Sequence, residues 1–130
     1  MSGLTGERGP LVASKIHVGS CHCGAVRYEV MFDAPARAIA CNCSICSRAG
    51  WLLTFVPRTA FRLITGADAL ADYQFGTKKS HHPFCKTCGV RAFSRGIDET
   101  GKERVAVNLR CVAGIDTTTL PVEVVDGASR

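Results

Sequence analysis

Cys21-His22-Cys23-Gly24-Ala25-Val26-Arg27-Tyr28-Glu29-Val30-Met31-Phe32 runs a cysteine motif directly into a strand pattern, and most of the fold can be read outward from it. Its second half sets Val26, Tyr28, Val30 and Phe32 against Ala25, Arg27, Glu29 and Met31, the period-two alternation of a strand with one buried face. Its first half is a C-x-C-G element, in which residues i and i+2 share a side and present two sulfurs together. A matching C-x-x-C-G element stands at Cys85-Lys86-Thr87-Cys88-Gly89. Tetrahedral zinc with Zn–S bonds of about 2.3 Å needs sulfurs roughly 3.8 Å apart, which a tight C-x-x-C turn provides. The glycine after each pair permits positive φ, so that backbone N–H groups can face the sulfurs. Cys21, Cys23, Cys85 and Cys88 are therefore expected to form one closed, structural zinc site. Joining segments so distant in the chain restricts the unfolded state most, which matters in a small domain.

Outward from this stretch, Ile16–Val18, Ala38–Cys41, Trp51–Val56, Phe61–Ile64, Ala71–Phe75, Arg91–Ser94, Arg104–Asn108 and Thr118–Val125 read as further strands. Only Ser44–Ala49 and Ala67–Leu70 could make a turn or so of helix. Many short strands punctuated by Gly and Pro predict a mainly β protein, a small antiparallel β-tent or sandwich stapled by zinc. Residues 1–14 read as a flexible leader, with Glu7, Arg8, Gly9 and Pro10 where a signal peptide would be apolar. Residues 15–130 are expected to form one domain.

A second motif, Cys41-Asn42-Cys43-Ser44-Ile45-Cys46, packs three cysteines into six residues. One loop can wrap three sulfurs around a metal while leaving a fourth position without a local ligand, the mark of a working rather than a structural site. Three thiolates outweigh the charge of zinc, so such a centre activates water poorly and accepts a visiting thiol readily. An electrophile attacked by sulfur is the chemistry this favours. Two alternatives stand beside it: closure by a histidine, with His81 and His82 ahead of His22 and His17, or a redox trio with two of the cysteines joined. Cys111 reads as a buried thiol acting as a small apolar side chain.

Composition narrows the remaining classes. Among 130 residues, 46% are apolar and 21% charged, ordinary for a globular chain, and no apolar run reaches the roughly 18–20 residues of a membrane span. Seven of the eight cysteines sit at ligand spacings that disulfides do not require, so a cytoplasmic protein is expected. The formal charge of +5 falls to about +2 once four-thiolate and three-thiolate zinc centres are counted. The basic residues are also scattered, and no nucleic-acid or membrane partner is expected.

These motifs together resemble the glutathione-dependent formaldehyde-activating enzyme family, which includes a centromere-protein branch. The resemblance rests on Gly19–Tyr28, Cys41–Cys46 and His82–Gly89, with Tyr73–Thr77 and Val107–Cys111 in support. It implies a β-tent-like fold with two zincs: a structural one on Cys21, Cys23, Cys85 and Cys88, and a catalytic one on Cys41, Cys43 and Cys46. It also implies a carbon–sulfur lyase activity joining glutathione and formaldehyde as S-hydroxymethylglutathione, in agreement with the thiol preference argued from charge. Arg48, Lys78, Lys79 and Arg95 are the candidates to meet the thiol's carboxylates, and His81 or His82 to move a proton to the carbonyl oxygen. A zinc-stabilised binding module without catalysis is the alternative.

Overall fold

In the computed structural model, which describes residues 15–33 and 37–129, ten strands and one short helix are arranged in three sheets. The expected leader, residues 1–14, lies outside the described residues. Strands β1 (Lys15–Ser20), β2 (Arg27–Phe32) and β5 (Phe61–Thr65) form a three-stranded sheet in the order β1-β2-β5. Strands β3 (Ala38–Cys41), β4 (Leu53–Pro57), β8 (Phe93–Ile97), β9 (Glu103–Asn108) and β10 (Val122–Val125) form a second sheet in the order β10-β3-β4-β9-β8. Strands β6 (Leu70–Tyr73) and β7 (His82–Cys85) make a separate two-stranded ribbon, and helix α1 covers Ser44–Ala49.

The alternation in β2 does what its pattern predicts. Tyr28, Val30 and Phe32 are buried while Arg27 and Met31 are exposed. They meet Val56 of β4, Phe93 of β8 and Val105 and Val107 of β9, so the two larger sheets pack face to face. Each such side chain removed from water contributes on the order of 1.5–3 kcal/mol. Tyr28 anchors the layer, with ring centroids 5.0 Å from Phe61 and 6.0 Å from Phe93.

The five-stranded sheet is covered on its other side as well. Val105, Ala106 and Val107 are consecutive and all buried, so neighbours on β9 point into different layers. Ala106 belongs to a second small cluster with Trp51 and Leu53, against which Ile39 and Cys46 pack. Cys21 and Cys85, by contrast, sit in the main core. The two cysteine motifs thus lie on opposite faces of one sheet.

Three differences from the sequence reading have physical causes. β10 pairs with β3 in parallel, Val125 beside Cys41, so one sheet is mixed rather than wholly antiparallel. β7 was hidden by Pro83, which lacks the N–H of a ladder strand; here Pro83 stands opposite Asp72 in a two-stranded ribbon where β7 has only β6 as a partner. Thr118–Val125 divides into a 3-10 turn at Thr117–Thr119, capped by the Asp116 carboxylate accepting from the Thr118 N–H, and the strand Val122–Val125.

Candidate metal centres

The first cluster is assembled by two turns built alike. The N–H of Cys21 bonds the carbonyl of Val26 at 3.0 Å, and the N–H of Cys85 bonds that of Val90 at 3.1 Å. Gly24 and Gly89 hold φ of +85° and +79°, conformations a side chain would resist. The result is that N–H groups face sulfur: Val26 N–H lies 3.4 Å from Cys21 Sγ. The N–H groups of Val90 and Cys23 hold the Cys88 thiol down at about 6, and the N–H of Cys88 lowers that of Cys85. For Cys23 the N–H of Ala25 also favours the thiolate, but the sulfur of Cys85, burial and the remaining sulfurs outweigh it and push the thiol up to about 11. Four sulfurs that must all be thiolates repel one another, and a cation among them removes that conflict. The Cys21–Cys23 and Cys23–Cys85 sulfur separations are 3.7 and 3.6 Å, and all four sulfurs lie within 4.8 Å of one another. That is the span of a tetrahedral metal–thiolate centre, so the residues fit a metal. Cys111 is half-buried against this core, rather than fully buried, and its burial pushes the thiol up to about 11.

The second cluster comes from one loop. The sulfurs of Cys41, Cys43 and Cys46 lie within 4.8 Å of one another, and among the described residues no histidine or carboxylate joins them. Cys43 is the N-cap of α1, its sulfur accepting from the Cys46 N–H at 3.5 Å, and the Cys43 N–H faces Cys41 Sγ at 3.5 Å. Burial works to raise the Cys43 thiol, yet the Cys46 N–H and the neighbouring sulfurs carry it below its ordinary value. Cys46 is pushed up to about 12, chiefly by burial, while the indole N–H of Trp51 works against that. Trp51 Nε1 is buried with no hydrogen-bond partner among the described residues, and its side chain packs against Cys46.

The segment after β10 clamps this loop from outside. Asn42 donates from Nδ2 to Asp126 Oδ1 at 3.1 Å and accepts from the Ala128 N–H at 2.9 Å, and the Asn42 N–H bonds Val125. Gly127 passes so close that a Cβ there would lie 2.5 Å from Cys41 Sγ. Nothing in the cysteine spacing announces this contact, which needs the β3–β10 pairing.

A cleft of about 460 Å³ opens beside α1, walled by Ser44, Ile45, Arg48 and Ala49 on one side and by Tyr73, Phe75 and Arg91 on the other. Arg48 donates to the Ser44 carbonyl at 2.9 Å; Arg91 lies over the Phe84 ring and donates to the His82 carbonyl at 3.1 Å. Arg91 was not among the expected residues. Its only signal in the sequence is its place two residues after Gly89, where the knuckle turn directs the chain.

The neighbours His81 and His82 separate onto opposite faces of the β6–β7 ribbon. His82 is buried against Trp51 and Phe75, with centroids 6.2 and 5.4 Å away, and its Nδ1 has no partner among the described residues. Burial, then Arg91, lowers its pKa below the usual histidine value. His81 faces the other way with Asp72, into a different cavity that Lys79 and Arg95 also line. Arg95 stands on β8, three strands across the sheet from β3, roughly 14 Å by strand spacing. Lys78 lines neither cavity; it occupies a turn at φ +59°. Of the residues expected to serve the second cluster, Arg48 lies in the cleft beside it and His82 one aromatic ring from Cys46.

A mainly β architecture with two cysteine clusters, one of four sulfurs and one of three, defines the class as a small β protein whose sulfur clusters could each hold a metal ion. The sequence profile described as "Glutathione-dependent formaldehyde-activating enzyme" matches residues 16–124. The chain therefore belongs to that family. It is 32% identical over 78 residues to a protein of Halomonas elongata named "Putative glutathione-dependent formaldehyde-activating enzyme"; the match covers 54% of this chain and half the length of that relative. Among solved structures, a Rhodobacter sphaeroides protein from a structural genomics programme superposes with a TM-score of 0.71 at 34% identity, covering 82% of this chain and 99% of that one. No helix of the described residues is long and apolar enough to cross a membrane.

Proposed function

We propose that both clusters hold zinc and that, at the second, the protein condenses a small carboxylate-bearing thiol of the glutathione type with an aldehyde such as formaldehyde. One observation carries this reading: three sulfurs without a fourth protein donor among the described residues, next to a cleft bearing two guanidinium groups. Zinc held by Cys41, Cys43 and Cys46 would supply a soft, electron-rich centre that takes a thiol readily and keeps it deprotonated.

The chain's own residues do the rest. Arg48 and Arg91 meet the thiol's carboxylates through charge-assisted bonds and so fix its orientation. Tyr73 and Phe75 give the cleft an apolar wall that covers the thiol's body and displaces water. In the reaction the sulfur forms the new carbon–sulfur bond, the carbonyl π pair passes to oxygen, and the proton lost from sulfur ends on that oxygen. The product is an S-hydroxymethyl adduct, a carbon–sulfur lyase reaction in its synthetic sense, and no oxidant or reductant is consumed. His82, neutral near pH 7 through burial and Arg91, is the candidate to carry that proton. Free thiolates of this kind suit the reducing cytoplasm.

Calorimetric titration of the zinc-loaded protein with glutathione and with cysteamine, a thiol without carboxylates, tests the reading. Glutathione should bind more tightly, Cys43→Ala should abolish its binding, and Arg91→Gln should weaken it roughly tenfold or more, the scale of one charge-assisted bond. Zinc loading with no thiol binding would return the chain to a metal-stabilised binding module.

A further inference from the structure

The ribbon of β6 and β7 is a partition. Tyr73 lines the cysteine-side cleft, and His82, its partner in register, stacks on Phe75 of the same aromatic wall. Leu70, Asp72 and Pro83, the alternate positions on the same two strands, and His81, which precedes β7 and bridges to Arg95, face a second cavity of about 560 Å³. Nothing in the proposed thiol chemistry uses this space, although it is the larger of the two.

Its floor is apolar: Phe61, Leu63 and Leu70 meet Phe93 and Val105, with the Phe61 and Phe93 rings 4.7 Å apart. Its mouth carries an exposed Ile97. Its rim is cationic, with four basic side chains against the carboxylates of Asp72 and Glu103. Two of the four are committed, Arg58 to Glu103 at 3.2 Å and Arg104 to Asp98 at 3.0 Å. Lys79 and Arg95 have no carboxylate partner among the described residues. Asp72 is not free to serve them, because its Oδ2 holds His81 Nδ1 at 2.5 Å. That bond fixes the His81 ring and leaves Nε2 for a ligand group.

An apolar floor beneath two uncommitted cations matches an organic anion with an aromatic or alkyl body. We infer that this cavity, separated from the cysteine-side cleft by the β6–β7 ribbon, is a second binding site that takes a small monocarboxylate with an apolar body. Its volume falls within the range that encloses small ligands. The body lies on Phe61, Leu63 and Phe93, and the carboxylate meets Lys79 and Arg95. The thiol's own carboxylates belong to Arg48 and Arg91 on the other face of the ribbon, so the two sites take separate ligands.

The test is an amide NMR titration of the full zinc-loaded chain with 3-phenylpropionate and, in parallel, its uncharged amide. The carboxylate should shift the amides of Leu63, His81 and Arg95 and bind at least tenfold more tightly than the amide compound. Arg95→Gln should erase that preference while leaving glutathione binding unchanged. Leu63→Trp, which fills the floor, should block both compounds. Absence of shifts at millimolar ligand, equal affinity for the two compounds, or shifts confined to Arg48, Tyr73 and Arg91 would each overturn the assignment.

Discussion

The two cysteine clusters are built from the same elements and differ in what they join. Both use tight turns that aim backbone N–H groups at sulfur. The first unites a turn before β2 with a turn after β7 and sits within the main core. The second is a single loop running from β3 into α1, on the other face of the five-stranded sheet, backed by the small cluster of Trp51, Leu53 and Ala106 with Ile39. A metal in the first cross-links distant chain and contributes to folding itself. A metal in the second would order only a few residues and, on the function proposed above, would serve chemistry. The contrast between the two clusters lies both in their number of sulfurs and in their place relative to the main core.

Four outcomes sharpen or break it. The largest is expected from Cys88→Ala. Structural zinc–thiolate sites contribute on the order of 10 kcal/mol, comparable with the whole stability of a small domain, so circular dichroism should show an unfolded chain. Next, Cys43→Ala should lower zinc content by about one equivalent, measured by elemental analysis, while the cooperative thermal transition persists. Equal collapse of both variants would erase the contrast.

A smaller effect is expected from Gly127→Ala. The added methyl would meet Cys41 Sγ at 2.5 Å, and such overpacking costs about 1–3 kcal/mol. Because the strap touches only the second cluster, chelator competition should show one zinc released more easily and the other unchanged. Two zincs weakened alike would place the strap's influence on the whole fold.

The smallest concerns pH. His82 has a lowered pKa in the fold through burial, then Arg91 and His81, with Asp72 opposing. The folded state therefore takes up its proton less readily than the unfolded chain. Its neutral form is matched in both states above the ordinary value of about 6.5, and stability is lost as pH falls below that. His82→Phe should flatten this acid limb in denaturant titrations between pH 7 and 5. An unchanged limb would show that other groups set it.

Legibility followed range along the chain. β2 was legible because alternation over eight residues is a local signal, and both cysteine clusters were legible because ligand spacing is local as well. β7 was not, since Pro83 argues against a strand wherever its neighbours are unknown. Lys79, His81 and Arg95 were grouped with the second cluster because they are basic and lie near Cys85 in the chain. Strand alternation and sheet order instead direct His81 away from His82 and set Arg95 three strands from β3. Arg91 was passed over because a single arginine after a knuckle carries no mark of what it will face.

Sequence alone determined the mainly β class, the family and the two sets of sulfurs, because cysteine spacing and side-chain alternation are set by bond geometry over a few residues. Tertiary structure decided which basic residues line which cavity, that the strap at Gly127 covers Cys41, and that one ribbon separates two cavities. Those relations depend on which strands pair and which faces pack, and such long-range pairing is a property of the whole chain rather than of any segment.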